Sequence, residues 1–327
     1  MSWFRGAVCA LVLIACGGPV QTQGIPGTPA YIEAQKGWEA LRDGRHQDAA
    51  EAFALALDAE PRDPSNHFGS GVAAYLLGQP TVAQHGLERA LELAPVLTDA
   101  SLLLAEALYR ASDISAAIRV YEAALEFAPN NDRLGTGLAK LREEAAVHGK
   151  FLESRGAHFT VLFEGAADAE LASRVIGILE AAYWRVSTAL AIYPERTITV
   201  VLYTQEQFRD ITQSPQWAAA AYDGRIRLPV GGADANPEEL ERVIVHEFTH
   251  ALVQTLTPRG VPMWLHEGLA VMFEPNGEAW IDEQLSRTPT WLPLERLEGS
   301  FGKLSGDDAR MAYAQASCAL CSKAAGP

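Results

Sequence analysis

The chain has 327 residues, of which 48% are hydrophobic and 20% charged, with a formal net charge of −15. That length leaves room for about two domains, each with its own core. The acidic balance excludes proteins that grip nucleic acid through basic patches, because neutralising phosphates needs clustered Lys and Arg.

The opening stretch, MSWFRGAVCALVLIACGG, sets one basic residue, Arg5, ahead of an apolar run from Ala7 to Ala15. The run is too short to span a bilayer, and its order of charge then apolar residues is that of an export signal. Leu13, Ile14, Ala15 and Cys16 also resemble a bacterial lipobox. The resemblance implies a signal over residues 1–16, cleavage before Cys16 and lipidation of that cysteine. Residues 17–29 then become a flexible tether, and the lipid anchor implies membrane association in the bacterial cell envelope, on the periplasmic or outer-membrane side. A cleaved, soluble secretory signal fits the same segment. Near the other end, Cys318 and Cys321 form a lone C-x-x-C. One such pair is half a tetrahedral zinc site, and it is read as tail chemistry, a local disulfide at most.

A period comes next. Pro61, Pro95 and Pro129 recur at intervals of 34 residues, and Ala49, Ala83 and Ala117 keep the same register. So do Ala56, Ala90 and Ala124, the bulky Phe53, Leu87 and Tyr121, the small Gly37, Gly71 and Ala105, and the turn residues Gly44, Gly78 and Ser112. The pattern resembles the tetratricopeptide repeat family, with units 30–63, 64–97 and 98–131 and a capping helix that carries the array to residue 150. The resemblance implies an all-α solenoid whose helical hairpins bury their apolar faces by stacking. Trp38, Tyr75 and Tyr109 either line a groove for a peptide or partner protein or pack between repeats.

Composition changes near residue 150, and residues 151–327 are expected to form a second, α+β domain. Residues 158–163 (HFTVLF) and 197–203 (TITVVLY) read as strands, with a helix over 168–191 between them. Asp223-Gly224 is a hairpin-turn signal, followed by polar–apolar alternation at Arg225, Ile226, Arg227 and Leu228.

Asn236-Pro237-Glu238-Glu239 then starts a helix, with Asn as cap, Pro at the first helical position and acidic residues in the first turn. It carries VIVHEFTHALVQ. His246 and His250 lie one turn apart and face the same way, while Glu247 sits about 100° round. This is the H-E-x-x-H spacing of zinc peptidases, in which two imidazoles grip the ion beside a carboxylate. Two buried, satisfied histidines on a core helix would show the same spacing. A catalytic zinc site also needs a third protein ligand and an open position for water. Glu267, His266 and Glu274 on the next helix are the candidates; His266 points about 100° away from Glu267, and Glu274, two turns on, reads as too distant for a ligand and suited to a supporting role.

HEFTHALV followed by WLHEGLAVMFE resembles the peptidase MA-like domain of the gluzincin clan, a thermolysin-like fold. The resemblance covers about residues 158–315, departs in a short connection between the two motifs, and implies Glu267 as the third zinc ligand. Better-known members carry a histidine-orienting carboxylate four residues after that glutamate, where this chain has Val271. It further implies that Glu247 acts as general base on the metal-activated water, that Tyr313 is a candidate oxyanion donor, and that residues 225–228 form an edge strand for substrate backbone. Tyr313 reads equally as an ordinary helix tyrosine. The chain lacks the G-x-M-E-N motif of the clan's aminopeptidases, which favours an endopeptidase acting on a peptide or protein. It ends fourteen residues after Tyr313, where family members continue, so a truncated domain is expected. The competing expectation is a non-catalytic scaffold lipoprotein whose repeats act alone.

Overall fold

The structure, a computed structural model, describes residues 26–165, 168–212, 220–230, 236–256, 261–287, 291–298, 301, 304 and 306–324. The export signal with Cys16, the tether up to residue 25 and the TPRG stretch at 257–260 lie outside the described residues. Among the described residues no helix is long and apolar enough to cross a membrane. The chain divides between Val147 and His148 into two compact units.

The first unit is a succession of helical hairpins: α1 (Pro29–Arg42) with α2 (His46–Ala59), α3 (Pro64–Leu76) with α4 (Pro80–Leu93), α5 (Thr98–Arg110) with α6 (Ile114–Phe127), and then α7 (Asp132–His148). Prolines open α1, α3 and α4, where a missing N–H costs nothing, and Asp63 Oδ1 accepts from Ser65 N and Asn66 N at 2.7 and 3.2 Å to cap α3. The turns inside the hairpins need a left-handed residue: Gly44, Gly78 and Ser112 have φ of 73°, 70° and 67°. Close approach explains the small residues. A Cβ on Gly37 would stand 2.8 Å from the Phe53 ring, and one on Gly71 would stand 2.8 Å from Leu87. Phe53 and Leu87 are both fully buried, which is worth roughly 1.5–3 kcal/mol each relative to exposure. The three aromatics serve packing: Trp38 meets Phe53 edge-on at 5.0 Å, Tyr75 packs against the same core, and Tyr109 Oη donates to Glu144 Oε2 on α7 at 2.8 Å.

The second unit is built on a five-stranded sheet in the order β1-β2-β3-β5-β4. Its strands are β1 (Phe151–Arg155), β2 (Phe159–Glu164), β3 (Ile198–Tyr203), β4 (Ala221–Tyr222) and β5 (Ile226–Pro229). β2, β3 and β5 run parallel; β1 and β4 are antiparallel to their neighbours. The helix α8 (Ala169–Leu190) carries the chain from β2 to β3, as parallel neighbours require. With α10 (Pro237–Leu256) it covers the core of Phe159, Val161, Val200, Leu202, Ile226 and Leu228. The short α9 (Gln205–Thr212) follows β3; α11 (Met263–Phe273), α12 (Gly277–Arg287), α13 (Leu294–Leu297) and α14 (Gly306–Ala324) complete the unit.

One expectation is corrected here. Residues 225–228 do not form an outermost strand: β5 begins at Ile226, pairs with β3 along one side and meets the two-residue β4 through Ile226 and Arg227 on the other. The four side chains Arg225, Ile226, Arg227 and Leu228 are all buried. Ile226 and Leu228 face the helices, while Arg227 is ion-paired to Asp223 at 3.0 Å and donates to Tyr203 Oη at 2.6 Å.

Candidate functional site

The site is assembled where α10 meets α11. Asn236 Oδ1 accepts from Glu239 N at 3.1 Å, and Glu238 and Glu239 occupy the first turn of α10, where the helix dipole favours negative charge. Phe248 points into the sheet and meets Phe159 edge-on at 5.4 Å. His246 and His250, two residues either side of it, are therefore turned about 200° away, toward α11. Opposite them α11 is pressed against α14: a Cβ on Gly268 would come within 2.7 Å of the Ala316 backbone, and Ser317 Oγ donates to Gly268 O at 3.1 Å. That close approach fixes Glu267, the residue before the glycine.

His246 Nε2 and His250 Nε2 stand 3.1 Å apart, and Glu267 Oε2 lies 3.5 Å from each. Four-coordinate zinc with bonds of about 2.0–2.2 Å spaces its ligand atoms about 3.3–3.5 Å apart, so a triangle of these sides has a point about 2 Å from every corner. The Glu267 separations are too long for strong hydrogen bonds, and Glu267 Oε2 is a buried oxygen without a hydrogen-bond partner among the described residues; so is Glu247 Oε2. The donor set and the two orphaned oxygens fit a zinc ion. Ligating atoms of His246, Glu247 and His250 fall within 4.8 Å of one another, which puts Glu247 beside the triangle.

Both histidines are backed by α11 and the residue that caps its end. Glu274 Oε1 is 2.6 Å from His246 Nδ1 and accepts from Arg242 Nη1 at 3.1 Å. His266 Nδ1 faces His250 Nδ1 at hydrogen-bond distance, and His266 is itself buried. His266 thus sits behind His250 and does not join the triangle. Tyr313, on α14, packs edge-on against Phe301 at 5.1 Å.

Electrostatics follow from burying these groups together. Burial alone pushes His246 down, but Glu267 and Glu274 outweigh it and hold the imidazole up at about 10. Burial pushes Glu267 up, yet His250 and His246 win and keep it well below the usual carboxylate range. For Glu247 burial dominates the opposing pull of the two histidines, and the carboxyl is raised. Tyr313 is raised by burial and then by Glu267, Glu247 and Glu274, which keeps its phenol protonated.

Ile226 and Leu228 are packed into the core, and Arg227 is held by Asp223 and Tyr203. Sequence reasoning left the partner of His246 open. The sequence signal for it is Pro275: a proline disfavours helix at the preceding residue, and α11 does end at Phe273, with Glu274 extended at φ −60°, ψ 151°.

The tetratricopeptide repeat family matches residues 35–83 and 77–132. The interferon-induced protein with tetratricopeptide repeats 3 of Mus musculus is 32% identical over 102 residues, which is 30% of this chain and 25% of that protein. The match thus spans a quarter of that relative's length. Among solved structures, the first TPR of Spaghetti (RPAP3) bound to HSP90 peptide SRMEEVD is 24% identical, covering 37% of this chain and 99% of that one with a TM-score of 0.35. Residues 35–132 are tetratricopeptide repeats.

Proposed function

We propose that residues 148–327 are a zinc-dependent endopeptidase and that the repeats recruit its protein substrate or a partner. The observation that carries the proposal is the triangle of His246 Nε2, His250 Nε2 and Glu267 Oε2, with sides of 3.1, 3.5 and 3.5 Å. In this site the three residues would hold Zn2+. A bound zinc ion would supply Lewis acidity toward the scissile carbonyl and toward the attacking water. Glu247 Oε2, buried and without a hydrogen-bond partner among the described residues, accepts a proton from water and returns it to the leaving amine. Burial raises Glu247, which brings its proton affinity closer to neutral pH, as a shuttle requires. Tyr313, held as a neutral phenol, donates its O–H to the developing oxyanion. The export segment ending at Cys16 would place this chemistry in the cell envelope on a lipid anchor.

The test is cleavage of casein or a peptide library by the zinc-loaded full chain and by Glu247→Gln at matched zinc content. Removing the general base is expected to slow cleavage by about 10²–10⁴-fold. Equal cleavage by the variant sinks the enzyme proposal. A scaffold function has one observation in its favour: the family match falls on the repeats, at residues 35–83 and 77–132. It predicts a protein that captures partners through residues 35–132 and cleaves nothing.

A further inference from the structure

We infer that Glu274 is a positioning residue that orients His246 for the metal, with Arg242 as its counter-charge. The inference rests on the zinc site proposed above and deepens it. A metal-binding imidazole with the ion on Nε2 carries its proton on Nδ1, and a fixed acceptor for that proton sets both the tautomer and the ring plane. Four residues after Glu267, on the same face of α11, stands Val271, which packs into an apolar cluster with Ile281 and Ala314 and offers no acceptor. The acceptor comes from beyond the helix. Glu274 is the C-cap of α11, and its extended backbone takes the side chain off the helical path.

The turn that follows is tightly made. Glu274 N donates to Val271 O at 3.1 Å and Gly277 N to Glu274 O at 3.1 Å, while Asn276 takes the left-handed conformation at φ 59°. A Cβ on Gly277 would stand 2.2 Å from Val271 O, so the turn admits only glycine there. Arg185 Nη2 donates to Phe273 O at 3.0 Å and holds the helix end from α8. Within that frame Oε1 of Glu274 meets His246 Nδ1 at 2.6 Å and Arg242 Nη1 at 3.1 Å. Arg242 is in turn clasped by Glu239 at 2.6 Å, one turn before it on α10. The chain Glu239–Arg242–Glu274–His246 is thus continuous from the surface to the candidate ligand. The contact fixes the ring of His246 and makes it a better donor to the metal.

The test measures metal binding, apart from cleavage, on the full chain. Zinc affinity is read by chelator competition, and ligand geometry by the visible spectrum of the cobalt-substituted protein, for wild type, Glu274→Gln and Glu274→Ala. Glu274→Gln keeps the shape and one acceptor oxygen but loses the charge. The expected result is a zinc affinity about 10-fold lower for Glu274→Gln and up to about 100-fold lower for Glu274→Ala, with altered cobalt bands in both. A purely structural Glu274 would lower the melting temperature of the metal-free protein and leave affinity and spectrum as in wild type; that outcome overturns the inference. If Glu274→Ala does not fold, the isosteric Gln variant decides alone. A wild-type chain that binds no zinc overturns the zinc site itself, and with it this inference, whereas zinc-replete wild type beside an unaltered Glu274→Gln overturns the inference only.

Discussion

Gly268→Ala probes how the site is held. The added Cβ would stand 2.7 Å from the carbonyl carbon and oxygen of Ala316 and 3.1 Å from Ser317 N, all backbone atoms that cannot swing aside. Ordinary contacts of this kind sit at about 3.5–4.0 Å, so α11 and α14 must separate by roughly 1 Å. Overpacking of this sort costs about 1–3 kcal/mol. For a unit of this size that lowers the melting temperature by about 2–12 °C. The same displacement lengthens the Ser317 Oγ to Gly268 O bond, now 3.1 Å, and carries Glu267 away from the two histidines. A shift of about 1 Å against metal bonds of about 2.1 Å is large, and zinc affinity should fall at least about 10-fold. Thermal unfolding followed by circular dichroism and chelator competition measure the two effects. A variant with wild-type stability and wild-type zinc affinity would refute the claim that the α11–α14 contact positions Glu267.

Further outcomes follow from the same contacts. His246 is held up at about 10 in the metal-free site, so zinc must displace its proton at neutral pH; calorimetry in two buffers of different ionisation enthalpy should show about one proton released, and buffer-independent heats would contradict it. Because the folded value lies above the unfolded one of about 6.5, the stability His246 contributes to the metal-free protein is fully present below about pH 6.5 and is lost as pH rises toward 10; denaturant midpoints of the metal-free protein across that window check the sign. His266→Asn keeps an acceptor behind His250 and should hold zinc better than His266→Phe, which removes it and should cost about 10–100-fold; equal affinities would show that the imidazole pair has no orienting role. In the repeats, Gly78→Ala forces a Cβ into a turn with φ 70° and should cost about 1–2 kcal/mol, measured as a shift in unfolding midpoint.

The repeat register was legible because each position has a physical cause that recurs every 34 residues: a glycine where Phe53 or Leu87 presses in, and a left-handed turn at Gly44 and Gly78. Ser112 keeps the register at φ 67° although serine gives no sign of that conformation. The placing of His246, Glu247 and His250 on one helix was equally legible, since cap, proline and acidic first turn precede them. The edge strand was not. Alternation at Arg225–Leu228 looks alike in an edge strand and in one flanked by β3 and β4, and a two-residue strand such as Ala221–Tyr222 leaves almost no pattern. Phe151–Arg155 escaped for a related reason: its exposed residues present no apolar face to read. The sequence places Glu274 too far off for a ligand, since a continuous helix carries it about 10 Å along the axis from Glu267, and leaves it a supporting role. The helix ends one residue earlier, and the side chain reaches His246.

X-ray absorption at the zinc edge of the purified full chain decides whether the triangle holds the ion. One zinc per chain is expected, with nitrogen and oxygen neighbours at about 2.0–2.2 Å, two of them imidazoles, and loss of the signal in His246→Ala and His250→Ala. A chain that carries no zinc, or a first shell of sulfur at about 2.3 Å drawn from cysteines such as Cys318, would contradict it.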